Sequence, residues 1–324
     1  MRQIRLGLIG CGALGRQHAA YVSQMEDARF EAYCDISQNS ADACLHKFGG
    51  AYATTEAHRI LEDTNIDAVY ICTRHDSHAA LAVAAARAGK HIFIEKPLAL
   101  NLEDCESIAH AVADAGIFLM PGFKMRYYPL IRLAHEFIPE PQVIVGQMMD
   151  ERWADDHWAQ DPIQGGANVA SQGCHTTDLL RYFAGSEPRV LWAAGGSLSH
   201  PGHACIDQCV ASIQFDNGNV ASWIQGDAAM GAWTGKFFVQ LFGGGKSVQL
   251  YDRFKKATFC DGNESWIEER SEEGGIELEN QEFIAALREN RTPELSVYDG
   301  IQATRLVLAA QAAIRDGSVQ FLTA

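Results

Sequence analysis

A charged pair followed by a proline stands where an apolar run of the sequence ends. Residues 90–94 are typical of a buried strand, and Glu95, Lys96 and Pro97 come directly after them. The ammonium group of a lysine at the end of a parallel strand can stabilise negative charge on an oxygen atom of a bound ligand. A salt bridge at the strand end, with a turn proline after it, explains the same pattern. Both interpretations of Lys96 are open at this point.

A histidine and an aspartate form a second pair of residues whose types take part in acid–base catalysis. His175 and Asp178 are three residues apart in a segment, residues 171–183, that is predicted to be a helix, so they share one face. On that face the carboxylate can orient or polarise the imidazole, which makes His175 a candidate for proton transfer. The competing interpretation is a histidine that only packs, since a single histidine on a helix is usually structural.

Three glycines near the start of the sequence match a phosphate-binding pattern. In GLIGCGALG they form G-x-G-x-x-G directly after a predicted strand, and Asp35 follows twenty positions after the last of them. The glycines permit close approach of the backbone to a pyrophosphate, and a carboxylate at this distance accepts hydrogen bonds from the ribose diol. The predicted dinucleotide site consists of Gly10, Cys11, Gly12, Ala13, Leu14, Gly15 and Asp35. A glycine-rich packing turn is the competing interpretation.

The charge around Asp35 bears on which dinucleotide binds. The five residues after it, ISQNS, contain no arginine or lysine that would pair with a 2′-phosphate. The carboxylate itself also repels a phosphate group. The sequence therefore favours NAD over NADP as the cofactor.

An aromatic and acidic stretch, WADDHWAQD at residues 153–161, is a candidate for substrate binding. Aromatic rings stack on the apolar faces of a polyhydroxylated ring, while carboxylates accept protons from its hydroxyl groups. We predict that Trp153, His157 and Trp158 contact the substrate. A metal site and a solvated loop are the competing interpretations of the same stretch.

A second stretch, HPGHACIDQC, contains histidines and cysteines in an arrangement that resembles a zinc set. The candidate ligands are His200, His203, Cys205 and Cys209. Cys209, however, continues an alternating apolar face with the residues that follow it, which favours packing in the core. The sequence therefore predicts no metal site here.

The elements that position these residues fall into two groups. In the first third of the chain, strands that are apolar throughout alternate with helices, which predicts a parallel sheet covered on both faces. Beyond residue 129, longer alternating segments and the hairpin signal DNGN at 216–219 predict a large, mainly antiparallel open sheet with helices. The predicted fold class is α/β, with a Rossmann-type doubly wound domain at residues 1–122 and an α+β domain at residues 123–324. Lys124 and Arg126, at this boundary, are expected to face the substrate, or in the case of Arg126 to brace the two domains.

Composition excludes several classes of partner. The 324 residues carry a formal net charge of −15, which disfavours nucleic acid and anionic membranes. No apolar run approaches the ~18 residues that a membrane span needs, and the N-terminus has no cleavable apolar region. The nine cysteines are scattered without a C-x-x-C pair. These features predict reduced thiols and a cytoplasmic protein.

Taken together, the motifs resemble those of the glucose-fructose oxidoreductase / inositol dehydrogenase / MocA family of NAD(P)-dependent oxidoreductases. The likeness rests on GLIGCGALGRQH at 7–18, CTRHDSHAALAVAAARAGKHIFIEKPLAL at 72–100, GFKMRYYP at 122–129 and GCHTTDLLRYFAG at 173–185. The glycine turn is common to many families, whereas E-K-P at this distance from it is quite specific.

The resemblance implies roles for individual residues. It implies that Lys96 contacts the reacting hydroxyl or carbonyl oxygen, that the peptide bond before Pro97 is cis, and that His175 transfers a proton with Asp178 close by. One departure concerns Ser171, which stands where inositol-type members carry an aspartate four residues before the histidine. The second acidic partner is therefore missing or supplied elsewhere. Further contacts to the cofactor are implied for Cys72, Thr73, Arg74, His78 and Glu95.

The sequence and the resemblance together predict an NAD-dependent dehydrogenase that acts on a secondary alcohol of a sugar, inositol or related polyol. Two alternatives stay open: an NAD-requiring glycosidase that oxidises its sugar transiently, and a dinucleotide-binding regulator without catalysis. The alternating segments of the second domain are apolar on both faces, so we expect a homodimer or homotetramer that associates through its sheet.

Overall fold

The computed structural model of the protein describes residues 3–230, 235–272 and 274–322. The chain divides into two compact units. The first unit comprises the chain up to Lys124 together with Ile276–Ile301, and the second comprises Met125–Gly275 and the chain from Gln302 onward. The last quarter of the sequence thus returns a segment to the first unit, which no local pattern in that segment had indicated.

The first unit contains a parallel sheet with helices between its strands. In chain order its elements are β1 (Ile4–Ile9), α1 (Ala13–Val22), β2 (Ala28–Cys34), α2 (Gln38–Phe48), β3 (Tyr52–Thr54), α3 (Ala57–Leu61), β4 (Ala68–Ile71), α4 (His78–Arg87), β5 (His91–Ile94), α5 (Leu102–Ala115) and β6 (Leu119–Pro121). The described strands pair in the order β3-β2-β1-β4-β5-β6, and every pair is parallel. This is the doubly wound order that the alternating apolar strands predicted.

Local signals explain where several of these helices begin. The Ser37 side chain accepts the N–H of Ser40 at the start of α2, and the Asn101 side chain accepts the N–H of Asp104 at the start of α5. Helix α5 ends at Gly116, whose φ of 62° is the left-handed conformation that glycine adopts without strain. Helix α2, strand β3 and helix α3 lie in a stretch to which the sequence analysis had assigned no element.

The rest of the chain contains a large mixed sheet and further helices. Its elements are α6 (Pro129–Phe137), β7 (Val143–Glu151), α7 (Ala167–Ser171), α8 (Gly173–Ala184), β8 (Pro188–Gly196), β9 (Gln208–Phe215), β10 (Val220–Ala229), β11 (Phe237–Gly243), β12 (Lys246–Tyr251), β13 (Lys256–Asp261), β14 (Glu264–Glu269), α9 (Gly275–Glu289), α10 (Val297–Asp316) and β15 (Gln320–Phe321). Within the described ranges the strands pair in the order β14-β13-β12-β11-β7-β10-β9-β8-β15. Strands β7 and β10 pair in parallel and the other pairs are antiparallel, as expected for a mainly antiparallel sheet.

Helix α8 packs closely on one face of this sheet because glycines remove the side chains that would separate them. A Cβ atom at Gly146 of β7 would lie 2.8 Å from the Leu180 side chain of α8. A Cβ atom at Gly173 of α8 would lie 2.8 Å from the Trp223 ring of β10. The helix that carries His175 is therefore fixed directly against the sheet.

The opposite face of the same sheet carries apolar side chains that are partly exposed. Val210 is 53% exposed, and Val143, Val220 and Phe242 are each about two-fifths exposed. These residues alternate along their strands with buried ones, so the sheet is apolar on both faces, as the sequence predicted. In the described part of the chain, no helix is both long and apolar enough to cross a membrane.

Candidate active site

The glycine turn after β1 has the shape that a bound phosphate group requires. Gly10 has a φ of 98°, and a Cβ atom there would lie 2.4 Å from the carbonyl oxygen of Cys72. A Cβ atom at Gly15 would lie 2.0 Å from the carbonyl oxygen of Gly10. A Cβ atom at Gly12, by contrast, would meet no atom within 4 Å. Packing therefore excludes a side chain at Gly10 and at Gly15. Gly12 instead leaves open space at the N-terminus of α1, where a pyrophosphate would sit.

Asp35, at the end of β2, is bonded to the glycine turn. Its Oδ2 atom accepts the backbone N–H of Cys11 at 2.8 Å, and its Oδ1 atom accepts the N–H of Ser37 at 2.9 Å. A carboxylate has about four acceptor positions, so two are left for the hydroxyl groups of a ribose. The Cys11 side chain is buried and Leu14 is partly exposed at the start of α1. The turn and Asp35 together fit a dinucleotide.

The end of β4 lies beside the glycine turn and is tied to the end of β5. In the buried imidazole of His78, Nδ1 lies 2.8 Å from the carbonyl oxygen of Pro97 and Nε2 lies 3.2 Å from the carbonyl oxygen of Thr73. Burial lowers the pKa of His78, although these carbonyl groups oppose that effect. The Thr73 hydroxyl accepts a hydrogen bond from Ser77 at 2.7 Å, and Arg74 is exposed. His78 therefore holds together the two strand ends from which Cys72 and Lys96 project.

Lys96 lies directly after β5 and is buried. The peptide bond between Lys96 and Pro97 is cis, as the resemblance implied. The neighbouring Glu95 is also buried, and its Oε2 atom accepts the backbone N–H of Lys96 at 3.2 Å. Because the carboxyl ends of parallel strands meet at one sheet edge, Lys96 and the glycine turn after β1 belong to the same edge.

Glu95 is held by a chain of hydrogen bonds that the sequence analysis did not foresee. The Asn280 amide lies against Nδ1 of His18, with its Nδ2 atom at 3.0 Å and its Oδ1 atom at 3.3 Å. Nε2 of His18 donates to Glu95 Oε1 at 3.1 Å, because an ionised carboxylate only accepts. Burial opposes ionisation of Glu95. The His18 hydrogen bond and the charges of Lys96 and Lys124 outweigh this effect and lower the pKa of Glu95. The chain thus keeps a buried carboxylate ionised beside Lys96.

A second glutamate faces this chain without a hydrogen bond. Glu279 of α9 is fully buried, and neither of its carboxylate oxygens has a hydrogen-bond partner among the described residues. Its pKa is raised well above the ordinary value, first by burial and then by the charge of Glu95, while Lys124 acts in the opposite direction. One carboxylate oxygen of Glu279, one of Glu95 and one ring nitrogen of His18 lie within 4.8 Å of one another. Burial and the charge of Glu95 thus both favour the protonated form of Glu279.

The second unit positions His175 near the start of α8. The sequence predicted a single helix over 171–183, but the structure has a break at Gln172, between α7 and α8. Ser171 ends α7, and the N–H of His175 bonds to the carbonyl oxygen of Gln172 at 3.0 Å. Both Ser171 and His175 are buried. The helix predicted over 171–183 corresponds to α8, which begins two residues later because a turn at Gln172 separates it from α7.

The residues next to His175 are locked to neighbouring elements. The Thr176 hydroxyl donates to the Gln225 side chain of β10 at 2.9 Å, and Gln225 in turn donates to Asn168 of α7 at 2.7 Å. The Thr177 hydroxyl lies 3.2 Å from the carbonyl oxygen of Ala303 in α10. These bonds fix α8 in rotation and along its axis, and so fix the position of the His175 backbone.

Asp178 forms an ion pair with Arg126. Nε of Arg126 donates to Oδ2 of Asp178 at 2.9 Å and Nη2 donates to Oδ1 at 2.6 Å, in a buried two-pronged ion pair. The guanidinium also lies 5.3 Å from the ring centroid of Tyr182. The sequence had predicted that Asp178 orients His175 and that Arg126 faces the substrate or braces the domains. The contact between the two was not foreseen, since 52 residues separate them.

The stretch 153–161 presents a row of three aromatic rings. The centroids of Trp153 and His157 are 5.2 Å apart, and those of His157 and Trp158 are 5.7 Å apart. His157 is exposed, both tryptophans are partly exposed, and Nδ1 of His157 accepts the N–H of Ala159 at 3.2 Å. Such a row suits the apolar faces of a sugar ring.

Among the described residues, His203, Cys205 and Cys209 do not join His200 in a group of metal-ligating atoms. A ring nitrogen of His200 lies instead within 4.8 Å of carboxylate oxygens of Asp207 and Asp227. Cys209 is buried in the core of the large sheet, in line with the packing interpretation, and burial raises its pKa to about 12. His200 instead bonds to Asp155 and Asp227. All nine cysteines of the chain are free thiols.

Comparison with known proteins places these features in one family. The model described as "Oxidoreductase family, NAD-binding Rossmann fold" matches residues 4–123, and the GFO/IDH/MocA C-terminal domain matches residues 133–243. A myo-inositol 2-dehydrogenase of Thermotoga maritima is 26% identical over 329 residues, with 97% of each chain covered. A levoglucosan dehydrogenase of Pseudarthrobacter phenanthrenivorans is 30% identical over 264 residues, which cover 68% of this chain and 67% of that one.

A solved structure shows the same fold over the whole chain. A levoglucosan dehydrogenase in complex with NADH and levoglucosan has a TM-score of 0.92 and 22% identity, with 99% of this chain and all of that chain covered. The two family matches together span most of the sequence, and they include the glycine turn, Lys96 and His175. The chain is an oxidoreductase with an NAD-binding Rossmann domain, and it belongs to the Gfo/Idh/MocA family.

Proposed function

We propose that the protein is an NAD-dependent dehydrogenase that oxidises a secondary alcohol of a sugar, inositol or related polyol. The observation that carries the proposal is the buried Lys96, which follows β5 at the sheet edge that also holds the glycine turn and Asp35. The first unit then binds the nucleotide, and the second unit, with its aromatic row, binds the substrate. Support for the substrate class comes from the names of the relatives.

The cofactor proposed is NAD rather than NADP. The turn residues Gly10, Gly12 and Gly15 would hold its pyrophosphate and Asp35 its ribose hydroxyls, and when bound NAD supplies the acceptor for a hydride. A 2′-phosphate at the same place would meet the charge of Asp35. Cys72, Thr73 and His78 stay predicted neighbours of the cofactor, and their support is the contact of Cys72 with Gly10.

Two residues are proposed to handle the substrate hydroxyl. His175 accepts its proton as general base, and the ammonium of Lys96 stabilises the oxygen while negative charge develops on it. Glu95 assists by balancing the charge of Lys96, because the hydrogen bond from His18 keeps its carboxylate ionised. Ser171, buried before His175, either fills space or relays the proton to it.

Residues of the second unit are proposed to recognise the ring of the substrate. Trp153, His157 and Trp158 offer flat apolar surfaces, with the exposed carboxylate of Asp156 in the same loop to accept hydroxyl protons. Lys124 and Arg126 were also predicted to contact the substrate. The ion pair with Asp178 supports instead a structural role for Arg126.

The experiment that tests the proposal is a screen of sugars and inositols for NADH absorbance with the purified protein, combined with product analysis by mass. Release of a ketone and NADH in equal amounts is the expected result. Cleavage of a glycoside with NAD required but not consumed identifies the glycosidase. Binding of NAD with no turnover on any compound supports the regulator and contradicts the proposal.

A further inference from the structure

We propose that His200 is a positioning residue for the loop 153–161, which it fastens to β10 as an imidazolium and releases when it loses its proton. The proposal rests on the proposed function in one respect, the role of this loop in substrate binding. The fastening itself involves only residues of the second unit.

The geometry around His200 requires a proton on both ring nitrogens. Nδ1 lies 2.8 Å from Oδ1 of Asp155, and Nε2 lies 2.7 Å from Oδ2 of Asp227. An ionised carboxylate only accepts hydrogen bonds, and a neutral imidazole has one N–H. Both contacts are therefore hydrogen bonds only while the ring is an imidazolium. The ring is 1% exposed, so water does not substitute for either partner.

The other groups that face His200 are largely satisfied without it. Asp207 accepts the backbone N–H groups of Leu198, Ser199 and His200 itself, at 2.8, 3.2 and 2.9 Å, and so shapes the loop that carries the ring. Asp227 also accepts the Gln208 amide at 3.0 Å and the backbone N–H of Trp153 at 3.2 Å. Asp227 is thus held by three donors in a site with no exposure to water.

Three more neighbours complete the surroundings of the ring. The amide nitrogen of Gln160 lies 2.8 Å from Nε2 of the ring, and its Oε1 atom has no hydrogen-bond partner among the described residues. When the ring is an imidazolium both nitrogens are donors, so the amide turns over and its oxygen accepts a share of that N–H. The His203 ring is 5.4 Å away, centroid to centroid. Arg152 donates to Asp155 at 2.6 Å, so it competes with His200 for that carboxylate.

These charges determine the pH range in which the loop is fastened. Burial lowers the pKa of His200, but the hydrogen bonds to Asp227 and Asp155 outweigh it and raise the pKa above its ordinary 6.5. The hydrogen bonds of His200 and Arg152 likewise lower the pKa of Asp155. The two hydrogen bonds of the imidazolium are fully formed at pH values below the pKa that the histidine has in the unfolded chain. They are lost as the pH rises through the higher pKa that His200 has in the folded protein.

Loss of the proton acts on the loop rather than on β10. The remaining N–H stays with the buried Asp227, whose charge has no access to water, so the lone pair of Nδ1 comes to face Asp155. Asp155 is 62% exposed and is hydrated once it moves away. It stands between Trp153 and His157, so its release loosens the part of the loop that carries His157 and Trp158, while the N–H of Trp153 stays bonded to Asp227. Since a neutral polyol does not titrate in this range, a pH effect on KM would belong to the protein.

The test combines a structural and a kinetic measurement in wild type and two variants. The structural readout is the His200 resonance in a histidine-labelled NMR titration, together with hydrogen exchange of residues 153–161 across pH 6–9. We expect a pKa for His200 above 6.5 and faster exchange of the loop above it. KM for the substrate found in the screen should rise about tenfold over the same range with kcat little changed.

The variants separate fastening from simple packing. His200→Gln has a single neutral amide and should show a raised KM and fast loop exchange at every pH. In Asp155→Asn the amide can accept from the imidazolium or donate to the neutral ring, so KM and exchange should stay low and independent of pH. An ordinary pKa for His200, or loop exchange that does not follow its titration, overturns the proposal, and both are measured even if no substrate is found. Release of the loop without a change in KM overturns its substrate role alone.

Discussion

The carboxylate of Asp35 accepts the backbone N–H of Cys11 at 2.8 Å, so the end of β2 is bonded to the glycine turn after β1. The two parts of the predicted dinucleotide site, twenty-four residues apart in sequence, thus have a fixed relation in the folded protein. A ribose that bonds to Asp35 leaves its pyrophosphate within reach of the open space at Gly12. A substitution of Asp35 therefore affects both the contact with the ribose and the hydrogen bond to the glycine turn.

Asp35→Ala should reduce the preference for NAD over NADP. The change removes the ribose acceptor, which weakens NAD binding by about ten- to a hundredfold, and it also removes the charge that repels a 2′-phosphate. Titration by fluorescence quenching with both cofactors measures the two dissociation constants. Asp35→Asn is the matched control, because it keeps an acceptor for Cys11 but loses the charge. Equal or tighter binding of NADP by the wild type would contradict the cofactor assignment.

Lys96→Ala should lower kcat by about a hundred- to a thousandfold while the affinity for NAD changes little. The expected loss, about 2.7–4 kcal/mol, is typical for one group that stabilises charge in the transition state. Single-turnover kinetics on the substrate from the screen, with NAD titrations in parallel, measure both quantities. Because His175 acts on the same oxygen, the double variant with His175→Ala should be less impaired than the product of the single losses. A near-normal kcat for Lys96→Ala would favour the regulator.

The part of the site made from local motifs could be predicted from sequence. The glycine turn, Asp35 and Lys96 each stand at a strand end, and a parallel sheet brings such ends to one edge whatever the loops between them do. His18 follows Gly15 by three residues and was within the quoted motif, but its partners gave no local signal. Asn280 and Glu279 lie about 260 residues away on α9, and only the return of the chain to the first unit brings them to His18.

Two other features escaped prediction for different reasons. The break between α7 and α8 falls at Gln172, directly before the close approach of Gly173 to Trp223, and no helical periodicity reveals it. Strands β13 and β14 were missed because they contain many polar residues, and β14 is mostly exposed at the edge of the sheet, so its pattern of burial is weak. The core of each sheet was predictable, whereas its edges and its tertiary contacts were not.

Glu279→Gln should make the protein more stable relative to wild type as the pH rises. Burial raises the folded pKa of Glu279 well above the ordinary 4.5, so above 4.5 the unfolded chain loses a proton that the folded protein keeps. The wild type therefore loses stability at up to about 1.4 kcal/mol per pH unit until the folded pKa is reached. Glutamine does not titrate, so the unfolding free energy of the variant does not fall in this way as the pH rises.

Urea unfolding of both proteins at pH 5, 6, 7 and 8 measures the difference. The difference in unfolding free energy at pH 5 reflects how well an amide fits the site. The change of this difference with pH reflects only the proton of Glu279. Asp42→Asn, at an exposed carboxylate of α2, serves as the control and should show no such slope. A difference between wild type and Glu279→Gln that is independent of pH would show that Glu279 is ionised in the folded protein.

Asp178→Asn should destabilise the protein by about 3–5 kcal/mol, because it leaves the buried guanidinium of Arg126 without its counter-charge. The double variant Arg126→Met with Asp178→Leu should recover much of this loss, since apolar groups need no partner. Urea unfolding measures the stabilities. The kcat of the double variant then separates two roles. A stable protein with normal kcat contradicts the prediction that Asp178 orients His175, and a stable protein with low kcat supports it.

Association through the exposed face of the large sheet is the last expectation. Across β9, β10, β7 and β11 the paired residues form rows, and one row consists of Gln214, Val220, Val143 and Phe242. The next row on this face contains Ser212, Ser222, Val145 and Gln240, and the row after it contains Val210, Ile224, Gln147 and Phe238. Apolar residues of all four strands therefore lie on this face, interspersed with polar ones. A surface of this kind is stabilised when it is covered, and a second copy of the same sheet covers it with matching shape.

We therefore expect a dimer or tetramer by light scattering at micromolar concentration, and Val220→Glu should shift it toward the monomer, because it would bury a charge in the covered face. Ile163→Glu is the control, since Ile163 is 73% exposed and lies outside the strands. This variant should assemble as the wild type does. Wild-type protein that stays monomeric, or Val220→Glu protein that assembles unchanged, would show that the face is not the interface and that its apolar residues are simply tolerated in water.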